Sequence, residues 1–410
     1  MTSTAPNKHP SDWSLWLAKL VMAPRWHPAS SDPALPRATT RFARVALSRT
    51  ARVATLAGVV AAGLVAATRP PRTAVAGDAS RSSAARQPST TGDTLAAAAL
   101  AQRAVGSLAT RALPDQPPAT LAQTGLYADW ASKTVAADVL AFSPQYPLWS
   151  DGATKQRWIY LPSAIDASDA DRWQFPVGTR IWKQFSFGTR TETRYMALTA
   201  SGWTYATYVW NGDVAVRAPR AGTNVRVSAT QTHRVPSDAD CRACHANAKT
   251  PVLGFAPLQL SVDRDPNAPH RELESREGVD LLSLVVGGYV VGLDDIAPRI
   301  AGAPIQRAAL GYLHGNCGGC HRAEGPLAAV GMELAQSARG DRVIATTAGV
   351  TAKFAPQSRL QPGDAEHSLL VARMQARKTL AQMPPIGTDI VDAEALRLVA
   401  AWIDQLAPTH

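Results

Sequence analysis

The chain of 410 residues contains few of the signatures that would place it at once. It has no G-x-S-x-G elbow, no phosphate-binding P-loop and no dinucleotide fingerprint, which removes the commonest sequence routes to serine hydrolysis, nucleotide hydrolysis and nicotinamide chemistry. No uncharged apolar run reaches the ~20 residues that span hydrocarbon comfortably. Charged residues are scarce, at 18%, and unevenly spread. Residues 1–76 hold ten Lys and Arg against Asp12 and Asp32, which accounts for +8 of the net +10. The rest of the chain is nearly neutral, so it has no dense basic face for neutralising phosphates, and nucleic acid is excluded as a partner. Cysteine is scarcest of all, with four residues. Against these absences, 46% hydrophobic residues can build a real core, and the length suggests two or three domains.

The basic N-terminal part has its own pattern. Val53 to Ala67 is an uncharged run, VATLAGVVAAGLVAA, preceded by Arg41, Arg44, Arg49 and Arg52 and followed by Ala74-Val75-Ala76. Positive flank, short apolar stretch and small-x-small end match a secretory leader over residues 1–76, with its h-region at 53–67 and cleavage after Ala76. An uncut signal anchor is the alternative, and the arginines would orient it with residues 1–52 inside. Either way residues 77–410 are exported, so the expected location is the periplasm, with membrane contact only if the anchor stays. No Arg-Arg pair precedes the run, which favours export through Sec. Residues 77–125 turn to Ala, Ser, Thr, Arg and Pro without a sustained period and read as a linker.

Residues 126–235 alternate β-branched and aromatic runs with turn residues, as in Arg157-Trp158-Ile159-Tyr160-Leu161 and Trp203-Thr204-Tyr205-Ala206-Thr207-Tyr208-Val209-Trp210. A small β sandwich or barrel is expected there. Seven of the eleven Trp fall within it, and core filling is preferred over a carbohydrate platform. From residue 236 the texture is helical. The clearest helix follows Asp392, where Leu396, Val399, Ile403 and Leu406 share one face and Asp392 is placed to cap it. The expected class is therefore α+β, with a β-rich domain ahead of a helical region. His270, His367 and the Asp294-Asp295 pair read as surface polar positions.

All four cysteines fall into two copies of C-x-x-C-H: Cys241-Arg242-Ala243-Cys244-His245 and Cys317-Gly318-Gly319-Cys320-His321. This is the attachment pattern of c-type haem, in which two thioethers hold the vinyl groups and the following imidazole ligates the iron. A Cys₄ zinc site, paired redox dithiols and ordinary disulfides are the competing readings. Export and the His after each pair favour two c-type haems. Cys241, Cys244, Cys317 and Cys320 would be the covalent attachment points, and His245 and His321 the proximal iron ligands. Met383, in Gln382-Met383-Pro384-Pro385, is the distal candidate for the second haem, because the prolines restrict the loop that carries the thioether.

Residues 301–410, with Tyr312-Leu313-His314-Gly315-Asn316 before CGGCH and Met383-Pro384-Pro385 before a final Ala401-Trp402-Ile403 helix, resemble a class I c-type cytochrome domain. The wider chain resembles a family of bacterial dihaem cytochromes with a β-rich domain ahead of two haem segments. It does so through Tyr146-Pro147-Leu148-Trp149-Ser150-Asp151-Gly152-Ala153, Phe175-Pro176-Val177-Gly178-Thr179, Glu192-Thr193-Arg194, Val235-Pro236-Ser237 and Leu253-Gly254-Phe255. The resemblance implies His321 proximal, Met383 distal, a first haem segment at 236–300 and a cytochrome c-like domain at 301–410. It further implies outer-sphere electron transfer with periplasmic redox partner proteins. No M-P-P follows His245, so the first distal ligand stays open among Met196, His233, Met332, Met374 and His314. An open sixth position would make the first haem a peroxidase- or reductase-type site, and a Trp-rich binding module is a third reading. No catalytic residue is assigned.

Overall fold

The β-branched runs pair into a six-stranded antiparallel sheet made of β1 (Leu140–Ala141), β2 (Thr154–Tyr160), β3 (Arg180–Phe187), β4 (Thr189–Thr199), β5 (Gly202–Asn211) and β6 (Val214–Arg217), hydrogen-bonded in chain order. The computed structural model describes residues 113–408 apart from 247, 249, 273–277 and 338–341. The leader and its apolar run at 53–67 lie outside these. Among the described residues no helix is long and apolar enough to cross a membrane.

Register decides what each face of the sheet carries. Trp158, Trp182, Tyr195 and Ala206 are cross-strand partners, and so are Arg157, Lys183, Arg194 and Thr207. Successive side chains point to opposite faces, so one face is aromatic and the other carries a charged row. The aromatic face is covered by Leu121, Leu126, Ala136 and Val139. None of the seven sheet-region Trp is exposed, which agrees with core filling.

Two expectations need correction here. The linker does not extend to residue 125: Tyr208 Oη donates to the Pro118 carbonyl at 2.9 Å, Arg217 N donates to the Ala119 carbonyl at 2.9 Å, and Leu121 is fully buried. This stretch covers the aromatic face, a task no local pattern announces. Nor is the β region a sandwich or barrel, since among the described residues the other pairings are only two-stranded. Loop and helix segments cover the sheet instead of a second sheet.

The second face packs Ile159, Ile181 and Met196 against Phe255, Leu260, Leu281 and Leu284. These come from the stretch bearing α1 (Asp238–His245), α2 (Pro257–Leu260) and α3 (Leu281–Val286). Helix α1 starts at a capping box: Ser237 Oγ accepts from Asp240 N at 3.1 Å, and the Asp240 carboxylate accepts from Ser237 N at 3.0 Å. Beyond it lie α4 (Pro304–Asn316), α5 (Val343–Thr347), α6 (Leu369–Gln375) and α7 (Ala393–Asp404). Helices α4 and α7 close a core of Leu310, Leu313, Val399, Trp402 and Ile403, and Asp392 caps α7 by accepting from Ala395 N at 3.1 Å. The described architecture is thus α+β.

Tyr146, from the segment ahead of β2, is buried in that helical core. It lies on α4 at Gly311 and Gly315, where a Cβ would run into the Tyr146 ring and the Tyr146 carbonyl respectively. Asn316 at the end of α4 completes the junction, its Oδ1 accepting from Trp149 N at 2.7 Å.

Candidate cofactor site

The second motif follows directly from α4. After Asn316 the chain turns tightly, with Cys320 N and His321 N both donating to the Cys317 carbonyl at 3.1 and 2.9 Å. Gly318 permits the turn, because a Cβ there would approach Ala335 Cα to 2.8 Å. Cys317, Cys320 and His321 then line a cavity of about 350 Å³ whose other walls include Leu327, Val330, Leu370 and Met383. His321 Nδ1 is buried with no hydrogen-bond partner. Burial first, then Arg373 and Arg359, push the His321 pKa down to about 4, so the ring is neutral and keeps a lone pair for a metal.

Met383 is fixed from both sides of its loop. Its own N donates to the Arg373 carbonyl at 3.0 Å. Gln382, which is buried, donates through Nε2 to the Pro384 and Thr388 carbonyls at 3.1 and 2.8 Å. The buried Asp151 carboxylate, from the sheet region, accepts from Asp389 N at 2.9 Å, Ile390 N at 3.0 Å and Thr388 Oγ1. Lys353, Arg359, Arg373 and Arg377 line the same cavity as Asp240 and Asp392, which makes it a cationic pocket with apolar walls. Arg359 is locked by the carbonyls of Val330, Gly331 and Thr346, leaving its Nε buried and unpartnered.

The first motif is built inside α1. Cys241, Cys244 and His245 fall at i, i+3 and i+4, which brings them to one helix face. His245 Nδ1 lies 2.6 Å from the Pro251 carbonyl. That contact assigns the proton to Nδ1 and leaves Nε2 as the free lone pair. Burial lowers the His245 pKa to about 4 despite this hydrogen bond, and its ring sits 5.7 Å from that of Tyr205 on β5.

Interaction with Cys320 first, then burial, raises Cys244 far above the usual thiol range, and the same interaction lowers Cys320. Burial alone pushes Cys317 up to about 12 and is the main cause that takes Cys241 up to about 11. No disulfide joins any of the four cysteines. Among the described residues no three His, Cys, Asp or Glu side chains converge into a ready-made metal site.

The five open candidates for the first distal ligand separate. Met332 and Met374 line the cavity of Cys317, Cys320 and His321, whose wall also includes Ala239, Asp240 and Ala243 of α1. His233 Nε2 is paired with Glu192 at 3.1 Å, and His314 Nδ1 accepts from Gln336 N at 3.0 Å. Met196 is the cross-strand partner of Tyr205, on the sheet face that packs against the 252–290 segment. Sequence reasoning missed the roles of Asp151, Gln382 and Tyr146. Two of these stand in the Tyr146-to-Ala153 stretch, but only long-range contacts reveal what they do. His270 is also more than a surface residue: Nε2 meets the Asp392 carboxylate at 2.8 Å, and its ring lies 4.7 Å from Trp149. No family model, curated protein or solved structure matches the chain, and function is read from geometry and donor chemistry alone.

Proposed function

We propose that this protein is an exported dihaem c-type cytochrome that transfers electrons in the periplasm, its C-terminal region acting as a class I cytochrome c-like domain. The observation that supports it most is the common cavity of Cys317, Cys320, His321 and Met383. Two thiols, a neutral imidazole and a thioether are the donor set of a Met/His c-type centre. The apolar walls suit a porphyrin, and the four cations around it suit its carboxylates. Haem c, when bound, supplies a one-electron Fe(III)/Fe(II) couple.

The chain's own residues do the rest. Cys317 and Cys320 would hold the group covalently and His321 would bind iron through Nε2. Gln382 and Asp151 hold the loop that presents Met383, which resists loss of the thioether when the charge on iron changes. Leu327, Val330, Leu334 and Leu370 exclude water and lower the local dielectric, which favours the less charged, reduced centre. At the first motif, Pro251 orients His245 for Nε2 binding.

The test is to export the chain with haem-attachment machinery and count haems by intact mass and pyridine haemochromogen. Two haems per chain are expected; one or none overturns the reading. In Met383→Ala one low-spin haem becomes high-spin by EPR. A high-spin, cyanide-binding haem already present in the wild type would turn the first centre into a peroxidase- or reductase-type site.

A further inference from the structure

A second cavity, of about 440 Å³, shares Pro385 and Ile386 as walls with the cavity of Cys317, Cys320 and His321. The two differ in chemistry. The second is mostly polar, lined by His233 and Arg234 from the strand Thr232–Val235, by Asp151 ahead of β2, and by Lys378, Gln382 and Asp389 from the loop that carries Met383. Its volume is that of a small-molecule site. His233, Asp151 and Gln382 are buried, whereas Arg234, Lys378 and Asp389 are exposed, so a polar floor lies under a charged mouth.

Some of these groups are already spent. Gln382 is committed to the Pro384 and Thr388 carbonyls, and Asp151 to Thr388 Oγ1 and the N–H groups of Asp389 and Ile390. The others keep bonding capacity. His233 is only 3% exposed, and its Nε2 lies 3.1 Å from Glu192 on β4, which assigns the proton to Nε2 and leaves Nδ1 with no partner among the described residues. A buried imidazole nitrogen on a polar cavity takes its hydrogen bond from what fills that cavity. Lys378 adopts φ +58°, in the left-handed region that lysine seldom enters, and its N donates to Gln382 Oε1 at 2.7 Å. Its ammonium has no partner among the described residues. Arg234 meets Asp240 through one nitrogen at 3.5 Å and keeps the rest of its fork. The charge of Asp389 is felt at Arg377, but Arg377 donates to the Met374, Ala376 and Ile390 carbonyls, so the Asp389 carboxylate accepts no hydrogen bond from it.

We propose that this cavity binds a small polyhydroxylated carboxylic acid, its carboxylate held by Lys378 and Arg234, one hydroxyl donating to His233 Nδ1 and another to the Asp389 carboxylate. Two cations and one carboxylate at the mouth leave one positive charge, which a monoanion balances. The two acceptors call for hydroxyl donors on the same molecule. An apolar ligand would leave all four groups unpaired. The site does not rest on the dihaem reading.

The experiment is isothermal titration calorimetry of the full chain with gluconate, glucuronate and glycerate, each a hydroxylated monoanion. At least one is expected to bind once per chain. Sorbitol, which has the hydroxyls without the charge, and acetate and inorganic phosphate, which have the charge without the carbon-borne hydroxyls, are expected to bind about tenfold more weakly or not at all. Lys378→Gln and Arg234→Gln, both at exposed positions, are each expected to weaken the acid about tenfold, the loss of one charge-assisted hydrogen bond. His233→Phe is expected to bring the acid down to the affinity of acetate. Should that buried variant not accumulate as folded protein, the two exposed variants carry the test. No binding by any of the three acids overturns the site, and so does acetate or phosphate binding as tightly, or an affinity unchanged in both Lys378→Gln and Arg234→Gln. The haem count is untouched by any of these outcomes, so the dihaem reading stands or falls separately.

Discussion

The two C-x-x-C-H motifs share a pattern of letters and differ in almost everything around it. The second sits at the end of α4 and opens on an apolar cavity that Met383 also lines, and its His321 Nδ1 is unpartnered. The first lies within α1 against the sheet, with His245 Nδ1 bonded to Pro251 and a charged row for a neighbour. The second motif gives three residues to the cavity wall; the first lies in a helix that meets the sheet and lines the same cavity only through Ala239, Asp240 and Ala243. Under the proposed function the same attachment chemistry serves two electrostatic settings, and two centres so placed would hold different reduction potentials.

The largest expected effect tests that contrast directly. Under the proposed function, replacing Cys317 and Cys320 with Ala removes the haem from a cavity of about 350 Å³. At ~24 cal/mol per Å³ an unrelaxed void of that size costs about 8 kcal/mol, an upper bound because the walls will close in part. Cys241 and Cys244 are not in the wall of that cavity, which α1 lines through Ala239, Asp240 and Ala243. Thermal denaturation of the two double variants is expected to show the second motif's variant melting well below the first's. Equal losses would mean that the two sites depend on their cofactors alike.

Next in size is the junction that joins the two settings. Ala in place of Gly315 gains up to about 1 kcal/mol of helix propensity, but its Cβ would meet the Tyr146 carbonyl, a backbone atom with little room to yield. Overpacking of that kind costs about 1–3 kcal/mol, so the net effect is a loss, read as a lower denaturant midpoint. A midpoint that rises would show that Tyr146 is free to move off α4.

What could be read from sequence follows from range. The α7 helix, its Asp392 cap and the Met383-Pro384-Pro385 loop are local patterns, and the structure contains the helix and cap as expected. The charged row could not be seen, because Arg157, Lys183 and Arg194 are neighbours only through strand register. The covering of the aromatic face by residues 117–126 was hidden for the same reason. Asp151 meets Thr388 across 237 positions, and no periodicity spans that distance.

Asp151 gives a more local prediction. Asp151→Asn keeps the size but replaces one acceptor oxygen with a donor facing the backbone N–H groups of Asp389 and Ile390. The expected cost is about 1–3 kcal/mol, concentrated in the loop. If Asp151 positions Met383, warming the haem-loaded variant will convert one haem from low to high spin well below global melting. The first haem, which does not use this loop, will not change. Simultaneous loss of both signals with the fold would make Asp151 a general stabiliser and remove its link to Met383.

A pH-dependent effect comes from His314, which lies on the helix that feeds the second motif. Burial holds its pKa at about 4 even though Asp171 pulls the other way, and its Nδ1 accepts from Gln336 N at 3.0 Å. Between pH 4 and an unfolded-state value near 6.5 the unfolded chain binds the proton more readily, so stability rises with pH through this window. Lowering the pH from about 6.5 towards 4 therefore withdraws stability from wild type. His314→Gln keeps an acceptor for Gln336 but cannot take up the proton, and its stability against pH should be flatter over the same range. The difference between the two curves isolates His314 from the carboxylates that titrate alongside it. Parallel curves would place His314 in water, and α4 would then owe its burial at the second motif to Tyr146 and the apolar core alone.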